Sequence, residues 1–296
     1  MKFDHVLVGY VPDRRGRDAL ALAALIARTA GAALSVAHVN PAAWDTPSPG
    51  RVDAEWRSYL RERAKSALEE AAGLLSDAEL PHPPDLVVHA HRGSGRGLSE
   101  VVSKVGADLV VIGSAPGRSA GHITVGSTAD QLLHGSRVPV ALAPKGYGER
   151  PPRELERLSV AYRREPEADD AVALAARAAG RYDVPLRLLT LMVRRAGATR
   201  IEGEMLDLAH EQLEADLAAS AKESRRRATV TTEVLEGPNV AKALAGTEWL
   251  RGEMLVCASS ASGPIRKVFM GDMSLKILRA ATIPVMVLPR AAVRTR

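Results

Sequence analysis

Short apolar runs alternate with longer amphipathic stretches from one end of the chain to the other. In the first half the runs "HVLVGY" (His5–Tyr10), "ALSVAHV" (Ala33–Val39), "DLVVHAH" (Asp85–His91), "DLVVIGS" (Asp108–Ser114) and "VPVALAP" (Val138–Pro144) have the length and Val/Leu content of buried strands. The stretches between them carry helical spacing. Trp56, Leu60, Ala64, Ala67, Ala71 and Leu74 recur at i+3 and i+4, which predicts a helix with one buried face. Strands alternating with helices predict a parallel sheet covered on both faces and joined by right-handed crossovers. In such a sheet ligands bind beyond the carboxyl ends of the strands, where helix amino termini point.

The pattern is written twice. "VGYVPDRRGRDALALAA" (Val8–Ala24) aligns without a gap to "VAYRREPEADDAVALAA" (Val160–Ala176), and "DLVVIGS" pairs with "EMLVCAS" (Glu253–Ser259). From there the alignment runs unbroken to "VPVALAP" against "IPVMVLP" (Ile283–Pro289). Both halves therefore derive from one unit of about 145 residues. The predicted fold is α/β, as two tandem open parallel five-stranded domains of Rossmann-like type. Their expected bounds are 1–146 and 157–296, with the Pro-, Gly- and charge-rich stretch 147–156 as linker.

Composition narrows the function classes. Of 296 residues 46% are apolar and 25% charged, as in a folded globular chain, but only 3% are aromatic. The core must be aliphatic, and a base-stacking surface is disfavoured. The net charge of +5 fits anionic ligands, yet basic and acidic residues interleave along predicted helices such as "EWRSYLRERAKSALEE" (Glu55–Glu70). That is a solvated helix face rather than a nucleic-acid stripe. The run Arg225-Arg226-Arg227 falls at a helix end, where it complements the dipole. Cys257, the single cysteine, lies in "MLVCA" and reads as a buried inert thiol. With no disulfide, no apolar stretch of about 20 residues and a strand at the amino terminus, the expectation is a cytoplasmic protein that binds neither membrane nor nucleic acid.

Candidate chemistry centres on "VIGSAPGRSAGHITVGSTADQLL" (Val111–Leu133), which leaves a strand end, crosses a small-residue loop and enters a helix. Gly113, Gly117 and Gly126 can let backbone N–H groups approach a phosphate. Ser127 at the helix start can meet a phosphate oxygen, and Arg118 and His122 could add charge. A glycine turn capped by Ser127 and holding nothing accounts for the same residues. "GSGRGL" (Gly93–Leu98) approximates the dinucleotide fingerprint, but Leu98 takes the place of its last glycine. Neither a P-loop nor a G-x-S-x-G elbow occurs. His89 and His91 share a strand face with no carboxylate at ligand spacing, and read as ordinary strand histidines rather than a metal site.

The tandem units, the paired "GS" steps and the closing "VPVALAP" resemble the universal stress protein family over essentially the whole chain. The resemblance implies that family's five-stranded fold, assembly through the final strand, and in its ATP-binding branch a G-x2-G-x9-G-[ST] loop with an Asp ending the first strand. Gly113 matches the opening glycine and Gly126-Ser127 the closing pair, followed by Thr128. The middle glycine falls on Pro116, one place before Gly117. Val11 stands at the first-strand Asp position, Asp13 lies two residues on, and Gly9, Val39 and Ser114 complete the implied nucleotide set. In the second half Ala258, Ala261 and Asp272 replace loop residues, only Gly271 survives, and Arg163 takes the place of the first-strand Asp. The resemblance thus implies a non-enzymatic stress-response module binding ATP or a related adenine nucleotide through domain 1 only, with slow hydrolysis left open. It also implies that the two domains pair through their final strands within one chain, and a further homodimer is compatible with it. The alternative is an interaction protein of the same fold that works without nucleotide.

Overall fold

The computed structural model describes residues 1–42, 52–117, 120–194, 200–259 and 272–289. The chain divides into two compact units, Phe3–Pro151 and a second formed by Met1–Lys2 with Pro152–Arg296. Described elements of the first are β1 (His5–Gly9), α1 (Arg14–Ala30), β2 (Ala33–Asn40), α2 (Val52–Leu74), β3 (Asp85–Ala90), α3 (Ser94–Val105), β4 (Leu109–Gly113), α4 (Ser127–Gly135) and β5 (Val140–Ala143). Its strands run parallel in the order β3-β2-β1-β4-β5. Val8 stands level with Val36 on one side and Val111 on the other. Val6, Leu7 and Val8 are wholly buried. Side chains of this kind each contribute about 1.5–3 kcal/mol on full burial, which explains the near-continuous apolar strands.

Local chemistry sets the helix ends. The Asp13 carboxylate caps α1, accepting from the N–H groups of Arg15 and Gly16 at 2.8 and 3.1 Å. Gly31 ends that helix at φ 65°, a left-handed conformation that glycine adopts without steric cost. The expected face of α2 needs correcting. Ala64, Ala67 and Ala71 are buried together with Leu68 and Leu75, but Trp56 and Leu74 are 45% and 49% exposed. At 23 residues α2 is about 35 Å long, whereas the eight-residue β2 it covers spans about 26 Å. Leu74 lies off the buried stripe, which runs from Ala71 to Leu75, and Trp56 lies near the amino end, ahead of the first described buried residue, Ala64.

The stretch read as a linker begins as part of the first unit. Tyr147–Glu149 forms a 3-10 turn laid against α1. Asp18, 1% exposed, accepts from the N–H groups of Gly146 and Gly148, both at 2.8 Å, and Arg14 pairs with Glu149. Burial raises the Asp18 carboxyl above the usual carboxylate range, and the two N–H donors partly offset that.

The second unit repeats the plan with β6 (Arg157–Ala161), α5 (Pro166–Tyr182), β7 (Leu186–Val193), α6 (Arg200–Ser224), β8 (Val230–Gly237), α7 (Val240–Leu244), β9 (Glu253–Ala258), α8 (Asp272–Ala280) and β10 (Val285–Leu288). Its parallel order is β8-β7-β6-β9-β10. Arg225–Arg227 follow directly on α6, as the sequence predicts. At the amino ends of its strands lies a polar knot that the apolar pattern conceals. Arg187, 4% exposed, donates to Glu253 at 2.8 Å, to Glu233 at 2.9 Å and to Ser159 Oγ at 3.0 Å. Its guanidinium also lies 4.5 Å from the Trp249 ring centroid. Glu253, 1% exposed, further accepts from Arg157 at 2.6 Å, from Ser159 and from the Leu250 N–H at 3.0 Å. Buried charges persist only when paired and hydrogen-bonded in this way.

Candidate functional site

The order β3-β2-β1-β4-β5 reverses direction between β1 and β4, and a cavity of about 370 Å³ opens at their carboxyl ends. A crevice at this switch point is where an open α/β sheet offers the most room for a ligand. The amino termini of three helices reach its wall: α1 through Arg15 and Gly16, α3 through Ser94, and α4 through Ser127, Thr128 and Ala129. The α3 and α4 termini bring helix N–H groups and the positive end of a dipole to this wall, which favours an anion there, whereas at α1 the Arg15 and Gly16 N–H groups are already taken by Asp13. The Ser94 and Thr128 hydroxyls are hydrogen-bonded to each other across the gap between α3 and α4.

Of the residues singled out in the sequence, Gly9, Val11, Val39, Gly113, Gly126, Ser127 and Thr128 line this cavity, and so does Pro116. Gly113 and Gly126 are glycines for a packing reason. A Cβ on Gly113 would lie 2.1 Å from the Arg15 carbonyl oxygen, and one on Gly126 would lie 2.7 Å from Ala115 Cβ. The first turn of α1 and the loop after β4 can therefore close on the strand end only if these side chains are absent. Three residues stand elsewhere. Ser114 is 2% exposed and staples the loop, accepting from the Thr124 N–H at 2.8 Å. Gly117, at φ 141°, turns beside Thr124. Asp13 is spent on capping α1 and holding Arg15, with Oδ2 2.8 Å from Arg15 Nε. Arg118 lies outside the described residues.

Tyr10, Arg15, Gly16, Ser94 and Leu98 also line the cavity, and the sequence reading did not include them. Burial, with Glu70 nearby, raises the Tyr10 phenol far above its ordinary value, so it stays protonated. His38 donates from Nδ1 to the Tyr10 carbonyl at 3.0 Å, and its burial lowers the imidazole below the usual histidine range. The dinucleotide-like "GSGRGL" takes a different part. Gly95 admits Gln131 and the Thr128 carbonyl, packing α3 closely on α4, while Ser94 faces the cavity. A small hydroxyl residue at the start of a helix was the available signal, at Ser94 as at Ser127. His89 and His91 do meet a carboxylate: Glu100, from α3, lies 2.7 Å from His89 Nε2 and 3.6 Å from His91 Nε2. Strand-to-helix packing brings it there from eleven and nine residues away in sequence. Among the described residues no group of three side chains is arranged to hold a metal ion.

The second unit has a cavity of about 450 Å³ at the matching place, with different chemistry. Arg163, Glu165, Glu167, Thr190, Cys257, Ser259 and Ser274 are among its lining residues, and Arg163 pairs with Glu165. Burial pushes the Cys257 thiol up to about 12, which agrees with an inert core cysteine. Asp272 opens α8, whereas Ala261 and Gly271 lie outside the described residues.

The sequence profile of the Universal stress protein family matches residues 2–144 and again 154–289. The chain belongs to that family. Universal stress proteins of Mycobacterium tuberculosis (strain H37Rv) and Mycobacterium bovis are each 35% identical to it over 294 residues, covering 96% of this chain and 99% of the relative. A solved universal stress protein of Archaeoglobus fulgidus superposes with a TM-score of 0.65 at 17% identity, covering 97% of this chain and 98% of its own. A putative universal stress protein of Pseudomonas aeruginosa gives 0.60 at 14%, covering 98% and 95%. These two share the fold. The tandem universal stress protein architecture expected from the internal repeat is thus established. Among the described residues no helix is long and apolar enough to cross a membrane.

Proposed function

We propose that this tandem universal stress protein is a cytoplasmic, non-enzymatic module that responds to ATP or a related adenine nucleotide held in the first unit. The observation that carries the reading is the convergence of three helix amino termini on one glycine-cleared cavity at the sheet's switch point. Gly113, Gly126, Ser127, Thr128 and Ser94 would receive phosphate, and the apolar wall of Val11, Ala37, Val39 and Leu98 would take the base. The described lining offers hydroxyls and one guanidinium but no side chain suited to general-base work. Calorimetric titration of the full chain with ATP, beside a thermal-shift series, tests this. Saturable binding and a raised Tm are expected, and no response at millimolar ATP overturns it.

Two observations favour a second reading, an interaction protein that works without nucleotide. Pro116, on the cavity wall, lacks the N–H that a glycine there would present, and Val11 puts an apolar side chain where an acid would contact a nucleoside. The same titration separates the two readings.

A further inference from the structure

Each unit carries an exposed apolar stripe on the helix that follows its second strand, away from either cavity. On α6, Ile201, Met205 and Leu208 are 71%, 66% and 66% exposed. Spaced at i, i+4 and i+7, they form one continuous line along the helix. Leu217, 1% exposed, lies nine residues beyond Leu208, which is about two and a half turns and so the opposite side of the helix. The stripe therefore points away from the face that α6 buries. Single exposed apolar side chains are ordinary on a protein surface, but an aligned row of them marks a contact surface. On α2, Trp56 and Tyr59 are 45% and 50% exposed and stack on each other, with ring centroids 5.6 Å apart. The Arg63 guanidinium, one turn further along the same side, lies 5.7 Å from the Tyr59 centroid and extends the patch. Trp, Tyr and Arg are the side chains that most often anchor protein interfaces, and here stacking holds them in place beforehand.

Charge indicates what each stripe fits. Around the α2 patch, residues 56–65 carry Arg57, Arg61, Arg63 and Lys65 against Glu62 alone. Around the α6 stripe, residues 200–214 carry Glu202, Glu204, Asp207, Glu211 and Glu214 against Arg200 and His210. One helix thus offers an aliphatic line flanked by acids, and the other an aromatic line flanked by bases. Helices that pair through an apolar seam with opposite charges beside it are complementary in this way. Both stripes are exposed in the single chain, and a second copy supplies the complement of each at once. We infer that the chain self-associates through these helices: α6 of each copy lies along α2 of the other, and two-fold symmetry closes the assembly at two copies. The inference uses neither cavity and so stands apart from the nucleotide reading. A membrane is the wrong occupant for α6, because anionic headgroups would repel its acids.

The test is sedimentation velocity of the full chain over a concentration series, with the circular-dichroism spectrum recorded for each variant. The wild type should run as a dimer in equilibrium with monomer. Two charge-reversed chains decide which surface is used. One carries Arg57→Glu with Arg63→Glu on α2, and the other carries Glu204→Lys with Glu211→Lys on α6. Alone, each would set like charges against each other in the pairing and should be monomeric. Mixed in equal amounts, the acidic α2 of the first meets the basic α6 of the second, and the unaltered helices meet each other. The dimer should then return as a mixed pair. Met205→Gln leaves the charge unchanged and should weaken the wild-type dimer about tenfold or more. All these positions are exposed, so every variant is expected to keep the wild-type spectrum. If a charge-reversed chain fails to fold, Met205→Gln and Trp56→Gln decide in its place. A wild type that stays monomeric overturns the inference and leaves the stripes to a different protein. A dimer that every variant leaves intact, or an assembly that grows beyond two copies, overturns it as well.

Discussion

Gly113 and Gly126 make room rather than contact. Each stands where a side chain would strike a neighbouring segment, the α1 backbone in one case and Ala115 in the other. Gly113→Ala should force α1 away from the end of β4 and cost about 1–3 kcal/mol, the usual range for overpacking. Thermal or denaturant unfolding measures this, and an unchanged midpoint would show that the helix shifts freely. His38 gives a pH signature at the same scale. Because burial holds its folded pKa below the ordinary value of about 6.5, the unfolded chain takes up a proton that the folded chain refuses. Stability from this group is therefore complete above about pH 6.5 and declines as the pH falls through that value toward the lowered one. His38→Gln keeps a donor for the Tyr10 carbonyl and removes the titration. Its Tm should fall less than the wild type's between pH 7 and pH 5.5, as differential scanning calorimetry would record.

Elements here are held by polar contacts that their apolar patterns do not announce. Helix α1 holds the 146–149 turn through Asp18, and β6, β7, β8 and β9 are tied by the Arg187–Glu253 knot. Removing one charge from such a knot leaves its partner buried and unpaired, which costs about 3–5 kcal/mol. Glu253→Gln should destabilise the chain by that amount, and amide exchange should rise in β6 and β7. A paired change of Arg187 and Glu253 to apolar residues of similar volume should cost less than the single change. Equal costs would mean that packing, not charge, dominates there. Helix α2 teaches the converse: its spacing locates the buried stripe through Ala64, Ala67 and Ala71, but packing decides that Leu75 rather than Leu74 continues it and that Trp56 remains exposed.

At the scale of the whole molecule, the two repeats are alike in fold and unlike in their cavities. The first is ringed by helix ends and carries Arg15, while the second carries Arg163, Glu165 and Glu167. Nucleotide binding should saturate at one equivalent per chain, measured by calorimetry on protein of known active concentration. Two equivalents of similar affinity would show that the second cavity tolerates its glutamates. The alternation of strands and helices, the parallel α/β class and the tandem division were legible because apolar periodicity and the repeat report burial and ancestry directly. Much of the cavity lining was legible too, since Gly9, Val39, Gly113, Gly126 and Ser127 sit at strand ends and helix starts that the pattern locates. Arg15, Ser94 and Glu100 were not, because their roles depend on which element packs beside which.

The sequence by itself determined that two similar parallel α/β units exist, and which loop in each could face a ligand. Periodicity and repetition are properties of neighbours along the chain. Only the tertiary structure decided that Asp13 is consumed as a cap, that Ser114 closes the loop, and that Arg15 and Glu167 each line a cavity. Those outcomes follow from distances between residues on different elements, which folding sets and linear order does not contain.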